Sequence, residues 1–80
     1  MTTLSCRLTT PQQCVVEDNV DSVVLPGVDG DFAVMAGHSL LFTPLRQGVI
    51  RIGHKSYTIS RGYAHVSATA CRIMVESVDA

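Results

Sequence analysis

The stretch from Leu25 to Ile52, LPGVDGDFAVMAGHSLLFTPLRQGVIRI, reverses direction more often than any long element tolerates. Turn signals fall at Pro26-Gly27, Asp29-Gly30-Asp31, Gly37-His38-Ser39 and Gln47-Gly48. Apolar and β-branched runs lie between them. Gly and Asp supply the backbone angles and local hydrogen bonds that tight turns need. A chain punctuated in this way folds short strands over one another. No catalytic constellation is visible within it, so function has to come from the surface that those strands present.

The rest of the sequence reads the same way. Leu4, Cys6 and Leu8 alternate with Thr3, Ser5 and Arg7, the period of two of a half-buried strand. Thr10-Pro11-Gln12 turns the chain, and a second strand from Gln13 to Glu17 is expected to end at an Asp18-Asn19 turn. A third, Val20 to Leu25, is expected to stop at Pro26-Gly27, since proline donates no ladder hydrogen bond. Asp31 to Met35 is a fourth, closed by Ala36-Gly37-His38. Ser39 to Leu45 carries Pro44, which predicts an edge or an irregular connection. Gly48 to Ile52 and Ser56 to Ser60 form a hairpin across Gly53-His54-Lys55, with Tyr57 and Ile59 on one face. Tyr63 to Ser67 and Ala70 to Glu76 form the last hairpin. No segment sustains a 3.6-residue period with caps. The expectation is one all-β domain, a flattened antiparallel β-sandwich or barrel of about 8–10 short strands.

Eighty residues hold one core, and a domain so small is expected to gain stability from partners. Hydrophobic residues make up 46% of the chain and charged residues 16%, which excludes a disordered chain. The net charge of −1 and the scattered basic residues give no nucleic-acid footprint. No run approaches the roughly 18 apolar residues of a membrane-spanning helix. Cys6, Cys14 and Cys71 cannot all pair within one chain and form no CxxC; reduced thiols in a cytosolic compartment, mostly core-facing, are expected.

Chemistry-bearing residues are sparse. His38, His54 and His65 have no spacing that sets two ligands on one element, and zinc needs three or four ligands with support behind them. Asp29 and Asp31 around Gly30 make half of a calcium loop, without the closing Glu. GVDGDF lacks the strand-to-helix setting of a phosphate cradle. Cys14 has no histidine base beside it in sequence. The remaining candidates are loop residues, namely Asp29, Asp31, His38, Ser39 and Arg46, where binding groups gather. Gly27, Gly30 and Gly37 read as turn formers.

Pro26-Gly27, Gly30, Gly37-His38, Leu41, Thr43, Leu45, Gly48 and Ile50-Arg51-Ile52 together resemble the epsilon subunit of F-type ATP synthases, called delta in mitochondria. The opening TPQQCVVEDNVDSVVLPG, the segment from Ile59 to Ala64 and the closing VSATACRIMVES extend the resemblance over essentially the whole chain. Ala33, Ala36, Leu40 and Arg61 stand where the family pattern has Gly, Pro, Pro and Gly, which alters turn rigidity. Family members usually continue into a two-helix hairpin; the fold expected here is the β domain without that hairpin, as a fragment or as a naturally short subunit.

The resemblance implies a non-catalytic rotor subunit of the central stalk, with no cofactor, metal or small-molecule substrate. It binds the gamma subunit and the c-ring and couples proton translocation to ATP synthesis. It is then peripheral on the cytoplasmic face of the bacterial inner membrane, or on the matrix or stroma side. Carried over by position, Asp29, Gly30 and Asp31 are expected to face the c-ring, and Gly37, His38, Ser39 and Leu41 the gamma subunit. Two other readings compete: a free-standing β-sandwich adaptor, and a small metal-dependent enzyme using the histidines and cysteines.

Overall fold

A computed structural model describes residues 3–37 and 39–79. It contains ten strands: β1 (Leu4–Thr9), β2 (Cys14–Val20), β3 (Ser22–Gly27), β4 (Gly30–Met35), β5 (Leu41–Leu45), β6 (Gly48–Ile52), β7 (Lys55–Ile59), β8 (Gly62–Val66), β9 (Ala70–Val75) and β10 (Val78–Asp79). No helix occurs among the described residues. The hydrogen-bonded path runs β10-β7-β6-β3-β5-β8-β9-β1-β2, with β4 on β3, and folds over itself into a nearly closed flattened barrel of 31 × 25 × 20 Å.

The alternation seen in the sequence is what fills the inside. Leu4, Cys6 and Leu8 of β1, Val23 and Leu25 of β3, Ile50 of β6, Ala64 and Val66 of β8, and Cys71 and Ile73 of β9 have no exposed surface. Apart from Pro26 after Leu25, their neighbours along each strand face away from the centre of the core, as a period of two requires. At about 25 cal/mol per Å² of apolar area, each large side chain in this core contributes about 1.5–3 kcal/mol.

Four sequence expectations change. Asp18 and Asn19 do not turn the chain but sit inside β2, opposite Cys6 and Ser5, because pairing with β1 carries the strand on to Val20. Pro26 and Gly27 do not stop β3; both are buried and lie opposite Asp31 and Gly30. Proline is accommodated because β3 changes neighbour there. It meets β6 at Val23 and Val24 and β5 only at Gly27, so on that edge nothing pairs with Pro26. Its carbonyl accepts the N–H of Arg46 at 2.9 Å. The sheet is also not wholly antiparallel, since β1 and β9 run parallel, with Cys6 opposite Cys71. Finally, Val78 and Asp79 form a short strand on Ile59 and Thr58 that the sequence did not announce.

The edge expected of the Pro44 segment holds in a specific sense. β5 pairs along its length with β8, placing Pro44 opposite Tyr63, and touches β3 only through Leu45 and Gly27. Gly62 is required for a different reason from the turn glycines: a Cβ there would lie 2.1 Å from the Met74 carbonyl oxygen, so β8 and β9 approach too closely for any side chain.

Candidate functional site

Strand direction sorts the loops into two sets at opposite ends of the barrel. One end gathers the turns at 10–13, 28–29, 46–47 and 60–61. The other gathers 36–37, 39–40, 53–54 and 67–69. Hydrogen bonds tie each set together. Arg46 N–H donates to Pro26 O at the first end, and Gly37 N–H to Ala68 O (2.8 Å) and Gly53 N–H to Ser22 O (3.2 Å) at the second.

Asp29, Gly30 and Asp31 lie at the first end, all exposed. Gly30 has φ of 133°, a conformation that favours glycine, and sends β4 back against β3. Asp31 is not a free carboxylate, because Arg46 Nη2 donates to its Oδ1 in an ion pair. Arg46, also picked out as a loop residue from the sequence, is therefore part of the same cluster.

Gly37 and Ser39 lie at the second end, both exposed. Gly37 has φ of 88°, as its reading as a turn former requires. His38 falls outside the described residues. Leu41 begins β5 and is half-buried against the core beside Phe32. It does not simply belong with the second end. Leu41 and Thr43 share a groove of about 240 Å³ with Asp29, Gly30 and Phe32, so this channel runs between β4 and β5 and links the two candidate sets.

Sequence reasoning missed the face that carries the largest exposed apolar groups. Phe42 is 63% exposed and Tyr63 52%, and their rings stack with centroids 5.6 Å apart. His65 tilts against Phe42 at 6.0 Å. Pro44 on β5 and Met74 on β9 flank them, and the face runs into a groove of about 630 Å³ that includes Val28, Arg61 and Glu76. The signal was present. Ala64 and Val66 point inward, so Tyr63 and His65 must point out, and register with β5 puts Pro44 and Phe42 beside them. Exposed apolar surface of this kind marks protein contacts.

The groups with redox or metal potential are dispersed. Cys6 and Cys71 are buried opposite each other and Cys14 is exposed on β2. The Cys71 thiol beside it and burial push the Cys6 thiol far above the ordinary thiol range, which disfavours a nucleophilic thiolate. Among the described residues, no three His, Cys, Asp or Glu side chains converge as a metal site would need.

Known proteins share this arrangement. The sequence model of the ATP synthase, Delta/Epsilon chain, beta-sandwich domain family matches residues 3–80. The ATP synthase epsilon chain of Mesorhizobium japonicum is 32% identical over 76 residues, covering 89% of this chain and 56% of the relative. That of Rhodospirillum centenum is 35% identical over 80 residues, covering 91% and 55%. The chain thus spans little more than half the length of these curated relatives. Among solved structures, a chain of the Euglena gracilis mitochondrial ATP synthase (OSCP/F1/c-ring, rotational state 1) superposes with a TM-score of 0.90 at 21% identity, over 99% of this chain and 54% of that one. A chain of the Tetrahymena thermophila mitochondrial ATP synthase central stalk and c-ring gives 0.80 at 15% identity, over 95% and 65%, which like the first establishes the fold. With the family model spanning all but its first two residues, this chain belongs to the ATP synthase delta/epsilon β-sandwich family.

Proposed function

We propose that the chain is a non-catalytic part of the central stalk of an F-type ATP synthase, held between the gamma subunit and the c-ring. The observation that carries this reading is the placement of the two candidate sets. Asp29, Gly30 and Asp31 occupy one end of the barrel, and Gly37 and Ser39 the other, about five residues of strand apart. A stiff body gripped at two separated places passes torque from one partner to the other without an active site. The continuous ladder from β10 to β2 around an apolar core supplies that stiffness. The relatives' name, ATP synthase epsilon chain, supports the assignment.

On this reading the Asp29–Asp31 end, with the Arg46 pair, meets polar loops of the c-ring. The Gly37, His38, Ser39 end meets gamma, and the exposed Phe42–Tyr63 face and Leu41 extend that contact. Gamma and the c-ring, with no nucleic acid or small-molecule substrate, are then the partners. No helix of the described residues is long and apolar enough to cross a membrane, and the chain is held at the membrane surface through the complex. The side is the cytoplasmic face in bacteria, or the matrix or stroma face in organelles.

Separate binding measurements with purified gamma and purified c-ring test the two-ended arrangement. Asp31→Ala weakens c-ring binding and spares gamma; Leu41→Ala does the reverse. Equal effects of both variants on both partners, or none, refute it.

A further inference from the structure

β2, one end of the sheet path, faces β7, the strand next to its other end. β2 is paired only with β1, while β7 is paired with β6 and, at Thr58 and Ile59 alone, with β10. A groove of about 560 Å³ separates the two edges, lined by Val16, Asp18 and Val20 on one side and Lys55 and Tyr57 on the other.

Register fixes which side chains of these edges turn toward the core. The buried Leu4, Cys6 and Leu8 stand opposite Val20, Asp18 and Val16. The buried Ile50 and Ile52 stand opposite Tyr57 and Lys55. Residues directly opposite in an antiparallel pair share a face. Asp18 and Lys55 therefore carry charges on the inner side of facing edges, and both are exposed because no strand covers them. The ion pairs among the described residues are Arg7–Glu17 and Arg46–Asp31, so Asp18 and Lys55 do not close the seam on each other. Asp18 Oδ1 accepts the neighbouring Asn19 N–H at 2.8 Å. Between the charges the floor is apolar, with Val16 and Tyr57 packed against the core.

We propose that this seam is a strand-addition site. Its occupant is an extended segment of a partner polypeptide, paired to the free edge of β2, with apolar residues toward Val16 and Val20 and a Lys or Arg toward Asp18. Main-chain groups of a free edge supply affinity in such pairing, and the side-chain pockets supply selectivity. The facing edge already works in this way, since β10 adds to β7 as a two-residue strand.

Charge decides between a basic partner and a second copy of this chain. Arg7 engages Glu17, leaving the Asp18 and Asp21 carboxylates along the seam. Two β2 edges set antiparallel bring the Glu17-Asp18 pair of one copy against that of the other, and like charges across a ladder are destabilising. An inward charge at an edge also protects against self-pairing. The same carboxylates attract a basic strand. The proposal does not rest on the stalk assignment, because it uses neither end cluster.

The test titrates the isotope-labelled 80-residue chain with a short synthetic peptide that carries Val, Lys and Val at every second position with Thr between them, so that all three share one face, and with a control in which Glu replaces that Lys, following amide hydrogen exchange. Slowed exchange at alternate residues of Cys14–Val20 with the Lys peptide, and binding weaker by about tenfold or more with the Glu peptide, is the expected result. Asp18→Lys reverses that preference, and an unchanged unfolding midpoint shows that the variant still folds. Equal binding of both peptides, protection confined to β4, or a dimer in sedimentation with β2 protected overturns the proposal.

Discussion

Asp31 and Arg46, fifteen residues apart in sequence, meet as an exposed ion pair at the barrel end that also holds the 28–29 turn. Each partner keeps about half of its side chain in solvent, so the pair contributes little to the fold, about 0–1 kcal/mol. Its consequence is for recognition, since it fixes a carboxylate and a guanidinium side by side on an outward end. Asp31→Ala is expected to change urea-unfolding stability by less than about 1 kcal/mol. On the proposed assignment the same variant is expected to lose c-ring binding, increasingly so as ionic strength falls and screening weakens.

Thiol reactivity reads out the core directly. Cys14 is exposed, whereas Cys6 and Cys71 have no exposed surface. An alkylating reagent at neutral pH is expected to modify one cysteine rapidly and the other two only in denaturant, as intact mass and peptide mapping resolve.

The same pair predicts a pH dependence. Cys71 and burial, with a smaller push from Asp18, hold the Cys6 thiol above its ordinary 9.0. The unfolded chain therefore loses this proton first as pH rises. Stability from this group is complete below pH 9 and declines above it, by at most about 1.4 kcal/mol per pH unit. Because Cys6 in turn lowers the Cys71 thiol, the comparison is made without that partner. Unfolding curves of Cys71→Ala and of the variant carrying both Cys6→Ala and Cys71→Ala, compared between pH 7 and 10, should converge as pH rises, since burial still raises the Cys6 thiol.

Two glycines separate crowding from backbone conformation. A Cβ at Gly62 meets the backbone of Met74 and Val75, whereas a Cβ at Gly30 meets open space but at φ of 133°. Gly62→Ala is expected to cost about 2 kcal/mol or more. Gly30→Ala should cost about 1 kcal/mol. Denaturant midpoints check the order, and a larger loss at Gly30 would contradict it.

The Phe42–Tyr63 stack lies on the surface, so its removal should leave the fold standing. Phe42→Ala is expected to shift the unfolding midpoint little while weakening gamma binding by about tenfold, as truncating an aromatic anchor does. Calorimetry on purified gamma measures this.

Much of the fold was legible because strands such as β1 and β7 alternate visibly between apolar and polar residues, and turn residues punctuate the rest. Leu4, Cys6 and Leu8 or Ile50 and Ile52 could be placed from period alone. Long-range pairing was not legible. The Asp18-Asn19 dipeptide looks like a turn and is a strand because β1 lies beside it, and Pro26 looks like a stop where β3 exchanges one neighbour for another. The parallel Cys6–Cys71 contact joins residues far apart in sequence, which no local pattern encodes. For the site, the turn residues Asp29, Asp31 and Arg46 were visible as exposed loop positions. Their ion pair, the groove that joins Leu41 to Asp29, and the seam between β2 and β7 arise only from tertiary packing.

Site-specific photocrosslinking in an assembled ATP synthase tests the central claim most directly. With one crosslinker at Asp29 and another at Ser39, in otherwise identical chains, the account predicts adducts to the c subunit from the first position and to gamma from the second. Adducts to a single partner from both positions, or to neither rotor component, would contradict it.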